Sequence, residues 1–151
     1  VATYPIDWDA GSTLIGVTIS NSEREFDSDP SAYLNEEARY DVINFDPNMR
    51  MVTSVTHTVG DYKFMTRWSY YGEASNFNSD EIETFNPMSY IDMELSYFAD
   101  ELVLAFGVRN LFDEYPNKDT VGDACCGRIY NSGSGMSWNG GYWYLKAKRD
   151  F

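Results

Sequence analysis

The chain has 151 residues, a formal net charge of −13 at pH 7 and an aromatic content of 17%. The acidic balance argues against nucleic-acid binding and against a polybasic helix on a membrane surface, because both need clustered Lys and Arg. A mean hydropathy of −0.45 with no run of about 18 apolar residues excludes a transmembrane helix but fits a transmembrane β-barrel, in which only alternate residues face lipid.

The chain begins at Val1 without a Met or a signal peptide, so we expect a processed or truncated protein. Residues 1–8 are predicted to be the end of a strand. An alternation of apolar and polar residues with period 2 predicts six further strands of about ten residues or more. A soluble β-sandwich shows the same alternation, so alternation alone does not identify a barrel. The six strands start near Thr13, Asn48, Asp61, Ser89, Leu102 and Tyr142, and the last one ends at Phe151.

Each predicted strand has an apolar side, and in a barrel this is the side that faces lipid. In the first full strand Ile15, Val17 and Ile19 share this side, whereas Gly16 and Thr18 lie on the other. The residues predicted to face lipid include Ile15, Val17, Phe64, Trp68, Met93, Leu95, Leu104 and Phe106.

Short and long connections alternate strictly along the chain. Outer-membrane barrels have this pattern, with short periplasmic turns and long extracellular loops, whereas three such long loops are uncommon in a compact soluble domain. The long segments hold 13 of the 24 acidic residues against only three basic ones, as expected of parts that lie outside the membrane. The tight turns are 10–12, 60–61 and 99–101, and the long segments are 27–47, 73–87 and 114–141.

Six strands and part of a seventh do not make a closed barrel. Bacterial single-chain barrels start at about eight strands, and open sheet edges are not tolerated in lipid. We therefore expect an all-β fold, a transmembrane antiparallel β-barrel to which residues 1–151 contribute the last six to seven strands. The missing strands are expected upstream.

Three stretches carry motifs. Gly107–Pro116 reads G-V-R-N-L-F-D-E-Y-P, and Pro47–Arg50, Gly60–Tyr62 and Arg67–Gly72 contain P-x-x-R, G-D-Y and R-W-x-Y-x-G; the third stretch is Asn139–Tyr144, just before the last strand. The first resembles the G-V-x-N-L-F-D-x-x-P motif near the penultimate barrel strand of TonB-dependent outer-membrane receptors. The others are similar to a hairpin and a last strand of that family. The resemblance covers nearly the whole chain, in the family's order and spacing.

The terminal Phe151 resembles the aromatic signal that the barrel-assembly machinery reads, although Arg149 stands where the family prefers an aromatic residue. The resemblance implies a barrel of about 22 strands around an N-terminal plug domain in the bacterial outer membrane, of which 1–151 is a C-terminal fragment. It implies uptake of a scarce nutrient, such as an iron chelate or a glycan fragment, energised by TonB. Neither the plug domain nor the TonB box lies within 1–151.

Further partners follow from this resemblance: the upstream strands and plug of the same chain, TonB, the assembly machinery, outer-membrane lipid and lipopolysaccharide. The alternative function is a passive porin-like or adhesive barrel whose loops bind partners. A plug domain and a TonB box upstream would separate the two.

The polar side of the predicted strands carries five charged residues, Lys63, Arg67, Asp92, Glu94 and Arg109. If each hairpin is centred on its tight turn, Arg67 comes opposite Glu94 and Arg109 lies beside Asp92. Opposite charges on neighbouring strands stabilise a sheet by roughly 0.2–1 kcal/mol per pair. Two interpretations remain open: a wall that holds the plug or lines a substrate path, and a self-satisfying network in a wet lumen.

The third long segment contains the only two cysteines, Cys125 and Cys126, which are adjacent. An extracellular loop is oxidising, so we expect a disulfide, either between them in a strained ring or with an upstream loop. The aromatic and Arg residues of this loop can contact a ligand or can pack the loop against its neighbours. The candidate substrate-binding residues are Arg128, Tyr130, Trp138 and Tyr71.

No enzymatic activity and no dedicated metal site are expected. The only His, His57, falls on the lipid side near a periplasmic turn, and no nucleophile–His–acid set is visible. The acidic residues of the first two long segments suit a loop-bound Ca²⁺, although the EF-hand pattern is absent. The alternative is a solvated acidic rim, bridged by divalent ions to lipopolysaccharide. These residues are Asp27, Asp29, Glu36, Glu37, Asp41, Asp46, Asp80, Glu81 and Glu83.

Overall fold

The computed structural model describes residues 1–120, 129–130 and 138–149. Within these residues the protein is all-β, as predicted, apart from one short helix. Among the described residues, no helix has the length and hydrophobicity that a transmembrane span requires. The elements are β1 (Ala2–Trp8), β2 (Gly11–Asn21), α1 (Glu36–Asn44), β3 (Met49–Val59), β4 (Tyr62–Tyr71), β5 (Ala74–Asn78), β6 (Glu81–Phe85), β7 (Met88–Ala99), β8 (Leu102–Arg109) and β9 (Tyr142–Arg149).

Seven strands form one antiparallel sheet in the order β1-β2-β3-β4-β7-β8-β9, and β5 pairs only with β6. The predicted number of long strands is therefore confirmed. β1, β8 and β9 have 7, 8 and 8 residues, so the last two are shorter than the predicted ten. As far as the described residues go, β1 and β9 are the free edges and the sheet does not close.

The three tight turns are confirmed within two residues. They consist of Asp9–Ala10, Gly60–Asp61 and Asp100–Glu101. Gly60 has a φ of 51° and Asp100 a φ of 47°, the left-handed conformation that two-residue hairpin loops need. Because neighbouring strands run antiparallel, the tight turns lie at one end of the sheet and the longer connections at the other.

The first long connection contains α1, which the sequence analysis did not predict. Asn35 caps the helix, since its side-chain oxygen accepts a hydrogen bond from the Ala38 N–H at 2.9 Å. Glu36 and Glu37 in the first turn suit the positive end of the helix dipole. None of the helical residues is fully buried, so the helix lies on the surface of the loop end.

The second long connection contains the β5–β6 hairpin, which was also not predicted. α1 packs on this hairpin: the Tyr40 and Phe77 rings meet edge to face at 5.9 Å, and the Phe77 N–H donates to Asp41 Oδ1 at 2.8 Å. The Tyr40 and Ser75 hydroxyls lie 2.8 Å apart. The two connections therefore form one small folded unit at the loop end of the sheet.

The sheet exposes the side chains of its apolar face and buries several side chains of its polar face. The apolar face carries rows of cross-strand neighbours such as Phe64, Leu95, Phe106 and Leu145, and Phe106 and Leu145 are 53% and 72% exposed. The register puts all eight residues predicted to face lipid on this side.

The opposite side, the polar face, is where the tightest burial occurs. Its buried residues include Ser69, Asp92, Ser96 and Ala105, and Asp92 is 1% exposed. Soluble proteins show the reverse, since their apolar side chains are buried and their carboxylates are almost never fully buried unless paired.

Candidate functional site

The register between β4 and β7 corrects one predicted pair. Arg67 lies opposite Asp92, not opposite Glu94, whose cross-strand neighbour on β4 is Met65. A shift of two residues keeps every side chain on its face, so the face assignment was right and the partner was wrong. The cause is the connection: β4 and β7 are joined through the β5–β6 hairpin, so no tight turn fixes their register.

Asp92 is the centre of the charged group on the polar face. Its Oδ2 accepts hydrogen bonds from Arg67 Nε at 3.0 Å and from Arg109 Nη1 at 3.1 Å, and Arg67 Nη2 also donates to it. Its Oδ1 accepts from the backbone N–H of Asn110 at 2.8 Å. The predicted contact of Arg109 with Asp92 is confirmed. A carboxylate at this depth is tolerated only because it is paired and fully hydrogen-bonded.

Glu94 forms a second, shallower group with residues of β9. Its Oε2 accepts from the Tyr144 hydroxyl at 2.6 Å and from Lys146 Nζ at 3.0 Å, and its Oε1 accepts from the Ser96 hydroxyl at 3.3 Å. The sequence analysis missed Tyr144 and Lys146. Alternation along β9 was the available signal, since it puts both on the side opposite Trp143 and Leu145.

The Tyr144 ring joins the two groups. The Arg109 Cζ lies 5.6 Å from the centre of this ring and the Lys146 Nζ lies 4.4 Å from it, close enough for cation–π attraction. Lys63, the fifth predicted member, shares the polar face, but its ammonium lies over the Phe98 ring at 5.4 Å. Four of the five predicted residues are therefore connected to one another through Tyr144 and Lys146, and Lys63 lies next to them. We call the connected group the charged wall; it consists of Arg67, Asp92, Glu94, Arg109, Tyr144 and Lys146.

The N-L-F-D motif builds a sharp turn after β8. Asn110 and Asp113 have positive φ values of 49° and 57°, which Asn and Asp tolerate best after Gly. The Asn110 side chain accepts from the Glu114 N–H at 3.0 Å and donates to the Glu114 carbonyl at 2.7 Å. Since the Asn110 N–H also binds Asp92, the turn is fastened to the charged wall.

The turn after β8 leaves no space for a Cβ at the two positions before β9, Gly140 and Gly141. Asp113 Oδ1 accepts the Gly141 N–H at 2.6 Å. A Cβ at Gly140, whose φ is 57°, would lie 2.0 Å from the Tyr115 hydroxyl, and one at Gly141 would lie 2.7 Å from the Asn110 carbonyl. The Tyr115 hydroxyl donates to the Asp113 carboxylate, which raises the pKa of Tyr115. The two motifs are thus parts of one turn that holds β9 against β8.

A cavity of about 290 Å³ lies over Asp92 at the loop end of the polar face. We call it the arginine pocket. Its wall includes Arg67 and Arg109, the aromatic residues Tyr90 and Tyr142, and Gly140. It brings together two guanidinium groups and two phenol rings, the kinds of group that hold a small anionic ligand part in orientation.

The candidate substrate-binding residues lie in different surroundings. Tyr71, at the end of β4, stacks on Tyr90 of the pocket wall with 6.0 Å between ring centres, and the Arg50 guanidinium lies 5.8 Å from its ring. Tyr130 stacks on Tyr115 at 5.8 Å, and Trp138 is 40% exposed. Tyr71 thus adjoins the charged wall, whereas Tyr130 adjoins the turn after β8. Arg128, Cys125, Cys126 and Phe151 lie outside the described residues.

The acidic connections contain ion pairs in the described part of the chain. Asp46 pairs with Arg24 at 2.9 Å and approaches Arg50 at 3.8 Å. No group of three or more His, Cys, Asp or Glu residues within the described ranges could hold a metal ion. His57 lies on the apolar face, where its Nδ1 is 2.8 Å from the Thr13 hydroxyl, which also accepts a hydrogen bond from Trp8. This is the position predicted for it, near the tight turns.

Comparisons of the chain with protein-family models, with curated proteins and with solved structures found no match. Its function is therefore inferred from the two faces of the sheet, the charged wall and the motif resemblance.

Proposed function

We propose that this chain is the C-terminal part of the β-barrel of an outer-membrane receptor that takes up a scarce nutrient with energy supplied by TonB. The observation that carries the proposal is the burial pattern of the sheet, which is the reverse of that in a soluble protein. The sheet's apolar face is exposed along seven strands, and its polar face holds the charged wall with the buried Asp92 at its centre. A barrel in a bilayer has this arrangement, with lipid outside and a polar lumen inside.

Water is a poor solvent for the apolar face. Soluble monomers rarely expose contiguous apolar patches above about 300–600 Å², yet on this face Tyr62, Phe64, Leu95, Phe106 and Leu145 are all more than a third exposed and lie on consecutive strands of the sheet. In the hydrocarbon core the same side chains need no further partner. Lipid is therefore the environment that suits this face without a large protein partner.

The two free edges support a larger barrel. In lipid, each unpaired N–H and C=O group of β1 and β9 would cost several kcal/mol. Both edges are satisfied when further strands of the same chain pair with them. The resemblance to TonB-dependent receptors supplies such strands and adds an N-terminal plug for the charged wall to face.

The tight turns lie at one end of the sheet and the long connections at the other, and this separation gives the first test. In the full-length protein with Cys125 and Cys126 replaced by Ser, Asn78→Cys should react with a membrane-impermeant maleimide on intact cells. Glu101→Cys, at a tight turn, should react only after the outer membrane is permeabilised. Labelling of Glu101→Cys alone on intact cells would contradict the proposed orientation, and equal labelling of both in a soluble fraction would contradict the membrane location.

Uptake tests the functional half of the proposal. Cells carrying the full-length protein should accumulate one of a panel of iron chelates or oligosaccharides, and accumulation should stop when TonB is deleted. The matched control is the same strain lacking only the receptor. Uptake that continues unchanged without TonB identifies a passive porin-like barrel instead.

A further inference from the structure

We propose that the arginine pocket binds a single carboxylate group, delivered either by a small carboxylic acid or by an acidic side chain from elsewhere in the full-length chain. The inference rests on the proposed function in one respect, since that function makes the polar face the lumen wall that such a group can reach. The site and its ligand chemistry follow from charge, hydrogen bonding and size.

The pocket has one positive charge in excess. Arg67 and Arg109 share a single carboxylate, that of Asp92. The neighbouring group is balanced, since Glu94 has one ammonium partner, Lys146. In a chain of net charge −13, two guanidinium groups around one carboxylate form a local positive site.

The two arginines keep hydrogen-bond donors for a ligand. Each guanidinium carries five N–H donors, and Asp92 receives two hydrogen bonds from Arg67 and one from Arg109. Asp92 accepts four hydrogen bonds in all, counting that of the Asn110 N–H to its other oxygen, which matches the roughly four acceptor sites of a carboxylate. Among the described residues Asp92 is the only hydrogen-bond acceptor of either guanidinium. The remaining donors are therefore held in place by Asp92 and are free to bind a second carboxylate.

Size and charge select the ligand group. The cavity volume of about 290 Å³ lies at the lower limit of drug-sized pockets, about 300–1,000 Å³, so it admits a side chain or one arm of a larger molecule. A carboxylate of charge −1 neutralises the excess charge, whereas a doubly charged phosphate would leave a net negative site. Arg also matches the planar carboxylate through two parallel hydrogen bonds. Tyr90 and Tyr142 flank the group from the pocket wall.

Arginine-selective labelling of the full-length receptor in detergent tests the proposal. Phenylglyoxal modification of Arg109 and Arg67 is followed by peptide mass spectrometry with succinate as the probe, one of whose two carboxylates enters the pocket with charge −1 while the other stays in the solvent outside it. Succinate at about ten times its Kd should slow modification of both residues about tenfold, because only the unoccupied fraction reacts. Arg50, which lies outside the pocket against Asp46 and Tyr71, should react at an unchanged rate and serves as the internal control.

Variants give an independent readout by calorimetric titration of succinate. Arg109→Lys keeps a positive charge beside Asp92 but lacks the planar fork, so the Kd should rise about tenfold, which equals about 1.4 kcal/mol. Lys63→Gln removes a positive charge from the same face outside the pocket and should leave the Kd unchanged. Protection by uncharged succinamide equal to that by succinate would overturn the proposal, and so would tighter binding of inorganic phosphate than of succinate.

The two sources of the carboxylate give different results. With an internal acidic side chain, Arg109 resists phenylglyoxal before succinate is added, and a carbodiimide cross-links the Lys of Arg109→Lys to a distant Asp or Glu of the same chain. With a small acid as the source, Arg109 reacts freely until succinate is added. An Arg109 that reacts as fast as Arg50 and is not protected by succinate refutes both.

Failure of the pocket and failure of the proposed function are distinguishable. If nutrient uptake depends on TonB but succinate does not protect Arg109 from phenylglyoxal, only the pocket proposal is refuted. Succinate protection in a protein that does not reside in the outer membrane refutes only the proposed function.

Discussion

The apolar and the polar face are made by the same strands, and they differ in what holds each residue in place. On the apolar face, Phe106 and Leu145 have cross-strand neighbours but stay largely exposed. On the polar face, Asp92 and Ser96 are almost fully buried, and Asp92 is held by two charged partners and a backbone N–H. Specific polar contacts therefore fix the second face, whereas the first depends on the medium around it.

The largest expected effect is the loss of the Asp92 charge, because it would break the most specific contact on the polar face. Asp92→Asn leaves two guanidinium groups without their anion, and breaking a buried ion pair from one side costs about 3–5 kcal/mol. Since Arg67 and Arg109 are partly exposed, water offsets part of this, and we expect a loss at the lower end, about 3 kcal/mol. Urea unfolding of the full-length protein in liposomes measures it.

Glu101→Gln is the matched control for Asp92→Asn. Glu101 pairs with Arg149 at 3.6 Å, and both side chains are more than half exposed, so the free energy of unfolding should not change measurably. Equal stability of the two variants would mean that Asp92 does not organise the polar face.

The next effect tests the apolar face. Val17→Arg puts a charge on this face in the middle of β2. If the face contacts lipid as proposed, the charge should cost about 2 kcal/mol of unfolding free energy, the lower end of the range for a bilayer midplane, because the long Arg side chain reaches toward the interface. Thr18→Arg, the adjacent residue, points to the polar face and is exposed there, so its cost should be much smaller. The same liposome unfolding experiment measures both. A Thr18→Arg variant as unstable as Val17→Arg would invalidate the assignment of the two faces.

The two faces were predictable because they follow from local alternation. Ile15 and Val17 fall on one side of β2 whatever β2 pairs with. The turn at Gly60–Asp61 was predictable for a similar reason, since Gly supplies the positive φ that the turn needs. Neither result depends on a distant part of the chain.

The register of β4 against β7 was not predictable, because it depends on a connection with structure of its own. That connection contains the β5–β6 hairpin, whose turn residues Ser79 and Asp80 have positive φ values of 54° and 64° without a glycine to signal them. α1 was missed because a surface helix with no buried residue has little apolar periodicity to reveal it. The Arg67–Asp92 pair, and the pocket above it, therefore needed the structure.

The smallest expected effect distinguishes a wet lumen from a dry core on the polar face. Glu94→Gln keeps an acceptor for the Tyr144 hydroxyl but removes the charge that pairs with Lys146, whose side chain is 59% exposed. Because water screens this pair, the loss of unfolding free energy should be about 1 kcal/mol or less at low salt. The Debye length falls from about 10 Å at about 0.1 M salt to about 3 Å at about 1 M salt. The stability loss caused by Glu94→Gln should therefore shrink at the higher concentration, whereas that caused by Asp92→Asn should stay nearly constant. Unfolding of the full-length protein in liposomes at the two salt concentrations measures both. If Glu94→Gln costs as much as Asp92→Asn at either salt concentration, the polar face is a packed core and not the wall of a water-filled lumen.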